Sequence, residues 1–151
     1  MRGYTIGILS AQWTETLGNG LPLTLGVDLI ENFENYTVTD AMPYPASHAG
    51  ETSGHVLSAT YGQLKNPRDW QLGYYYAHIE TFAVNASYAQ DDWARFGSAT
   101  QSDLTDIEGH ELRATVVLTK TLNAQARLFL VDAITSVQDG KRFRVDLNWR
   151  F

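Results

Sequence analysis

Five arginines, Arg113, Arg127, Arg142, Arg144 and Arg150, gather in the last third of the chain, with Glu111 and Asp146 among them and Asp28 far upstream. A guanidinium keeps its charge at any relevant pH and forks onto carboxylates and phosphates. Lining one wall of a watery channel, these groups would favour anions in transit. Paired with Glu111, Asp146 and Asp28, they would only stiffen that wall, and the sequence leaves both readings open. A second charged group, Asp91, Asp92, Asp103 and Asp106 with Glu108, makes one long connection acidic. Folded inward, that connection would oppose the arginines across a constriction; facing outward, it would be a solvated loop. His55, His78 and His110 fall at the ends of neighbouring predicted strands, and His78 shares a face with Glu80. They are assigned to the mouth of a channel rather than to a metal, because no metal-motif spacing joins them. Ser53, Ser58 and His55 supply hydrolase residue types without a nucleophile elbow. No glycine-rich phosphate loop is present, so no catalytic residue, metal or cofactor is expected.

Strands must position the arginines. From Lys141 onward, Phe143, Val145, Leu147, Trp149 and Phe151 share one strand face, while Arg142, Arg144, Asp146, Asn148 and Arg150 share the other. A soluble edge strand rarely divides its residues this way; a strand between lipid and a watery lumen does. The same period of two runs upstream. Leu112, Ala114, Val116 and Leu118 oppose Glu111, Arg113 and Thr115 within 109–119, and Ala126, Leu128 and Leu130 oppose Gln125, Arg127, Phe129 and Val131 within 123–134. Trp70, Leu72, Tyr74 and Tyr76 share a face, as do Leu57, Ala59 and Tyr61 within 54–64 and Leu23, Leu25, Val27 and Leu29 within 21–33. The first strand, Tyr4 to Trp13, is blurred because Ile6 and Ile8 oppose Leu9 and Trp13, and its faces stay unassigned.

Seven strands result, and the connections between them alternate in length. Gly18-Asn19-Gly20, Lys65 to Asp69 and Lys120 to Asn123 mark short turns, whereas 34–53, 81–108 and the medium 135–140 lie at the other end. Phe82 to Ala94 is a candidate short helix inside the longest of these. Outer-membrane barrels carry short periplasmic turns and longer extracellular loops. In that frame 34–53 and 81–108 are extracellular, and Trp13, Tyr61, Trp70, Trp149 and Phe151 stand at one level, as an interfacial aromatic girdle does.

Composition fits this frame and excludes others. A formal net charge of -6 argues against a general nucleic-acid binder, whose footprint is basic. The absence of cysteine removes disulfides and thiol chemistry. A mean hydropathy of -0.25 with 12% aromatics suits alternating strands with aromatic girdles, and no run of about 18 apolar residues suggests a transmembrane helix. The Met1 to Ala11 start, with one positive charge and a short broken apolar run, reads as a strand rather than a signal peptide.

Leu147-Asn148-Trp149-Arg150-Phe151 resembles the C-terminal signal of Gram-negative outer-membrane barrels, in which Leu147, Trp149 and Phe151 would be read by the barrel-assembly machinery. Lys65-Asn66-Pro67-Arg68-Asp69-Trp70, Tyr76-Ala77-His78-Ile79-Glu80 and Gly109-His110-Glu111-Leu112 resemble the C-terminal half of the putative porin family, over roughly 54–151. The resemblance implies an all-β, transmembrane, antiparallel up-and-down β-barrel in the outer membrane. It implies a passive diffusion channel for small hydrophilic solutes, with outer-membrane lipid as surroundings and further copies of the chain as an open alternative. The size departs from it. Seven strands are odd in number, so the chain is expected to be the C-terminal part of a larger barrel. The competing readings are a soluble β-barrel or sandwich around a small apolar ligand, with the faces reversed, and a non-conducting structural barrel.

Overall fold

The computed structural model describes residues 3–37, 46–85, 93, 105–135, 137 and 139–150. Seven strands form one sheet: β1 (Ile6–Thr16), β2 (Pro22–Asn32), β3 (Ser53–Gly62), β4 (Trp70–Ile79), β5 (Ile107–Val117), β6 (Leu122–Ala133) and β7 (Asp139–Trp149). Their order in the sheet is their order in the chain, and every neighbouring pair is antiparallel. The architecture is therefore up-and-down. The sheet is not closed, since β1 pairs only with β2 and β7 only with β6.

Turn chemistry fixes the register at the short end. After β1, Gly20 takes a φ of +80°, and its N–H donates to the Leu17 carbonyl at 2.8 Å. After β3, the Asp69 carboxylate accepts from the Lys65 and Asn66 N–H groups at 3.0 and 2.9 Å. After β5, the Thr119 hydroxyl accepts from the Leu122 N–H at 3.1 Å. Each device pins one hairpin, and a register slip would move every side chain to the wrong face.

The register settles the faces of β1. Trp13 pairs with Leu25 and Leu9 with Leu29, so both join the apolar face, while Ile6 and Ile8 stand on the polar one. A perpendicular row leads from Trp13 through Leu25 and Ala59 to Tyr74, and another from Trp70 through Val116 and Ala124 to Leu147. Relative to these rows the girdle residues Tyr61, Trp70 and Trp149 lie progressively nearer the turns, by six residues across the six intervals from β1 to β7. Were those residues to stand at one level, one residue of about 3.3 Å per strand spacing of about 4.8 Å would correspond to a tilt of about 35°, within the range of transmembrane barrels. Phe151 lies outside the described residues.

Burial is inverted relative to a soluble sheet. Leu9, Phe143 and Leu147 are each 69% exposed on the apolar face, whereas Glu111 and Arg127 on the polar face are buried. The loop-side end of the polar face carries a small core of Ala77, Ile79, Ile107, Phe129 and Val131, joined by Ala83, Val84 and Trp93 from the β4–β5 connection. Residues 81–84 form a turn where the sequence suggested a helix from Phe82, and the rest of that candidate, Trp93 apart, lies outside the described residues. A 3-10 turn at Ala46–Gly50 adds a local structure that the alternation of the sequence does not show within 34–53.

Gly62, the last residue of β3, has a φ of +103°, and a Cβ there would sit 2.3 Å from the Trp70 carbonyl oxygen. Gly18 meets nothing within 4 Å. We expect Gly62→Ala to destabilise the folded protein in detergent by at least about 2 kcal/mol, and Gly18→Ala to leave it nearly unchanged. Equal urea midpoints for the two variants would contradict the backbone constraint.

Candidate pore wall

On the polar face one row runs Gly73, Arg113, Arg127, Arg144 across four strands, each residue directly opposite the next. Like charges opposite one another repel, so the row needs counter-charge. Glu111 supplies it: its Oε1 accepts from Arg113 Nε and from Arg127 Nε, both at 2.8 Å. Two residues along β7 from Arg144, Asp146 Oδ1 accepts from Arg144 Nε at 2.7 Å. Gly73 completes the row, because a Cβ there would meet the Tyr75 ring at 3.0 Å, and that ring carries the Arg113 guanidinium at 4.5 Å. Arg127 lies over Phe129 at 4.8 Å. Below the arginines, Gln125 donates to the Thr115 hydroxyl at 3.0 Å and Asn148 to the Asn123 carbonyl oxygen at 2.9 Å.

The arginines differ in exposure. Arg127 is 8% exposed and its charge is engaged inside the wall, while Arg113 and Arg144 are 29% and 37% exposed. Arg142 stands on the same face opposite Phe129. Four guanidinium groups thus share the polar face of β5–β7 with the two carboxylates Glu111 and Asp146, a formal excess of two positive charges. The polar face of β1–β4 is mostly short and neutral, with Ser10, Thr24, Gly26, Ser58, Thr60 and Gly73, and with Asp28 as its one charge among the described strand residues. Asp28 stands on β2, three strands away from β5, and so does not join the Arg113–Glu111–Arg127 group. Arg150 follows β7, with its N–H donating to the Thr121 carbonyl at 2.8 Å and its side chain exposed.

The long β4–β5 connection bears on this wall. Trp93, from its middle, sets its ring edge-on to Phe129 with centroids 6.2 Å apart. Phe82 is buried, its carbonyl accepts from Asn32 Nδ2 at 2.7 Å, and its N–H donates to the Glu51 carbonyl at 2.8 Å. Thr81 donates to Glu51 Oε2 at 2.5 Å, and Ser53 Oγ donates to Glu80 Oε2 at 2.9 Å. The described part of the connection is therefore fastened over the loop-side end of the polar face. Asp91, Asp92 and Asp103 lie outside the described residues. Asp106, at a φ of +64°, accepts from the Thr135 N–H at 3.1 Å and ties the start of β5 to the end of β6.

One assignment from sequence needs correcting. His55, His78 and His110 do stand near the loop-side ends of β3, β4 and β5, but on the apolar face with Leu57, Tyr76 and Leu112, so they do not line the mouth. Ser58 points to the opposite face of β3 from His55, while Ser53 shares the face of His55. No group of three possible metal ligands occurs among the described residues. Phe82, Trp93, Asn32 and Glu51 are hardly signalled in the sequence, and the one sign of them is that Phe129, Val131, Ala77 and Ile79 place apolar side chains on the arginine face.

Fold and wall together define a porin-like protein, an antiparallel up-and-down sheet with an exposed apolar face and a charged opposite face. The family described as Putative porin matches residues 3–151, and the chain belongs to it. The match begins about fifty residues before the 54–151 stretch over which the resemblance was seen. No curated protein and no solved structure matches the chain.

Removing Glu111 would leave Arg113 and Arg127 opposed without their shared carboxylate. Breaking a buried ion pair from one side costs about 3–5 kcal/mol. Glu111→Gln is expected to lower the urea midpoint accordingly, and Glu111→Gln with Arg127→Met to recover part of the loss. A wild-type midpoint for Glu111→Gln would show that the cluster does not hold the wall.

Proposed function

We propose that the sheet is one wall of a β-barrel in the outer membrane of a Gram-negative bacterium, acting as a channel rather than an enzyme. Small hydrophilic solutes diffuse through it passively, and the β5–β7 wall favours anions. The observation that carries this reading is the inversion of faces: large apolar side chains are exposed where lipid would lie, and charged groups are paired and covered on the other side. A soluble barrel or sandwich around an apolar ligand needs the reverse. The strands cross with all backbone groups paired to neighbours except at the two sheet edges, and hydrocarbon does not tolerate open edges. β1 and β7 both run from the loop side to the turn side, so antiparallel closure takes an odd number of additional strands. The seven strands are thus read as part of a larger, even-stranded barrel. Leu147 and Trp149 stand outward near the end of β7, where the assembly machinery would engage them together with Phe151.

Arg113 and Arg144 supply the selectivity. A unit charge about 6 Å from a permeating ion in water is worth about 0.7 kcal/mol, or roughly threefold in partitioning. The fastened β4–β5 connection, carrying Trp93 across the arginine face, narrows the same passage. In bilayers under a salt gradient, Arg113→Gln with Arg144→Gln should lower the anion/cation permeability ratio several-fold at low salt and less at high salt. An unchanged reversal potential would remove the anion preference. The diffusion reading itself would fail if the folded, heat-modifiable protein gave no conductance.

A further inference from the structure

The last residue of β2 is one that a strand seldom selects. Asn is depleted in strands, yet Asn32 ends the polar face of β2 after Thr24, Gly26, Asp28 and Ile30, and it is only 1% exposed. A buried amide destabilises a fold unless it is hydrogen-bonded, and this one is satisfied four times. Its Oδ1 accepts from the Thr5 N–H at 3.2 Å and from the Glu34 N–H at 3.3 Å. Its Nδ2 donates to the Phe82 carbonyl at 2.7 Å and to the Tyr36 hydroxyl at 2.8 Å. Two N–H donors on one side and a carbonyl on the other leave the amide a single orientation.

These four bonds reach three lengths of chain that are distant in sequence. Thr5 precedes β1, Glu34 and Tyr36 open the β2–β3 connection, and Phe82 lies near the start of the β4–β5 connection. Tyr36 extends the link: its hydroxyl donates to the Gly3 carbonyl at 2.7 Å, and its ring stacks on Phe82 with centroids 4.6 Å apart. Directly after Phe82 the chain turns onto the arginine-bearing face. Ala83 is fully buried with Ile79 and Phe129, and Val84 packs against the same core. The amide of Asn32 therefore sits one residue away from the point at which the connection meets the wall.

What holds Phe82 matters as much as where it is held. Its N–H donates to the Glu51 carbonyl, but Glu51 is itself part of a connection. Asn32 belongs to the sheet: it pairs with Ile6 across β1, and its own N–H donates to the Thr52 carbonyl at 3.0 Å. A group on a strand fixes a neighbour more firmly than a group on a loop does. We propose that Asn32 is a positioning residue for the passage, its amide clamping the start of the β4–β5 connection against the arginine-bearing face and so setting the width of the channel at its loop-side end. The proposal rests on the channel reading above. Without the amide, the Phe82 carbonyl and the Thr5 and Glu34 N–H groups lose their buried partner, and the connection is free to leave the wall.

The chain contains no cysteine, so one disulfide can be placed cleanly. A Cβ on Gly54 would lie 3.5 Å from the Ala83 Cβ, a separation that a disulfide spans. Gly54→Cys with Ala83→Cys therefore ties the connection to β3 whether or not Asn32 is present. The full-length protein carrying this pair, with Asn32 or with Asn32→Ala, is folded and oxidised in detergent, checked by thiol titration and heat-modifiable migration, and reduced only after insertion into a planar bilayer. Folding is then complete before the clamp is tested. With Asn32→Ala, reduction is expected to raise the single-channel conductance by about twofold, as release of a constriction does, and to bring rapid partial closures. With Asn32 retained, reduction should change neither. An unchanged conductance with Asn32→Ala, or equal rises in the two backgrounds, would overturn the clamp. Failure of the disulfide to form would overturn the placement of the connection on which the clamp depends. Absence of conductance from the unmodified protein would instead overturn the channel reading itself.

Discussion

An extended strand that enters hydrocarbon leaves every N–H and C=O in need of a partner, and only a neighbouring strand can supply it. All else in this chain depends on that pairing. Once the hairpins at Leu17–Leu21, Lys65–Asp69 and Leu118–Thr121 set the register, the period of two divides each strand between an outward and an inward face. The division needs no tertiary core of the usual kind. Leu9, Phe143 and Leu147 can stay exposed because their proposed solvent is lipid, and the buried residues collect instead on the face that carries the arginines.

The same register makes an electrostatic difficulty and resolves it. It brings Arg113, Arg127 and Arg144 directly opposite one another, an arrangement that would repel if left alone. Glu111, one turn of the pleat above Arg113, takes both of its neighbours, and Asp146 takes Arg144. Pairing consumes Arg127 as structure and leaves Arg113 and Arg144 partly exposed. Stiffening and the proposed selectivity, alternatives for the whole set in the sequence, thus fall to members that differ in exposure. The small apolar core around Phe129 then holds Ala83, Val84 and Trp93, so the wall that carries the charge also holds the described part of the β4–β5 connection.

Much of this was legible in the sequence because alternation is a local signal. The residues of β2 to β7 declare their faces without knowledge of their partners, and the short turns declare themselves through Gly20, Pro67 and the brevity of the link from Lys120 to Asn123. β1 did not, since Ile6 and Ile8 are apolar on the polar face and only pairing with β2 decides its phase. At the start of the helix suggested from Phe82, residues 82–84 form a turn instead: Ala83 is apolar because it joins the core with Ile79 and Phe129, and Phe82 stacks on the Tyr36 ring. His55, His78 and His110 misled by residue type, since polarity suggested the mouth while parity had already placed them outward. The Glu111 fork depends on a cross-strand diagonal, and no spacing within one strand shows it.

The central claim is that alternate residues of one strand face lipid and water. Nitroxide labels placed singly from Arg142 to Asn148 in the full-length protein in bilayers test it through collision with oxygen and with a water-soluble nickel chelate. The account requires oxygen to dominate at Phe143, Val145 and Leu147, and the nickel reagent to dominate at Arg142, Arg144, Asp146 and Asn148, with a period of two throughout. Opposite phase, or nickel access at every position, would contradict it.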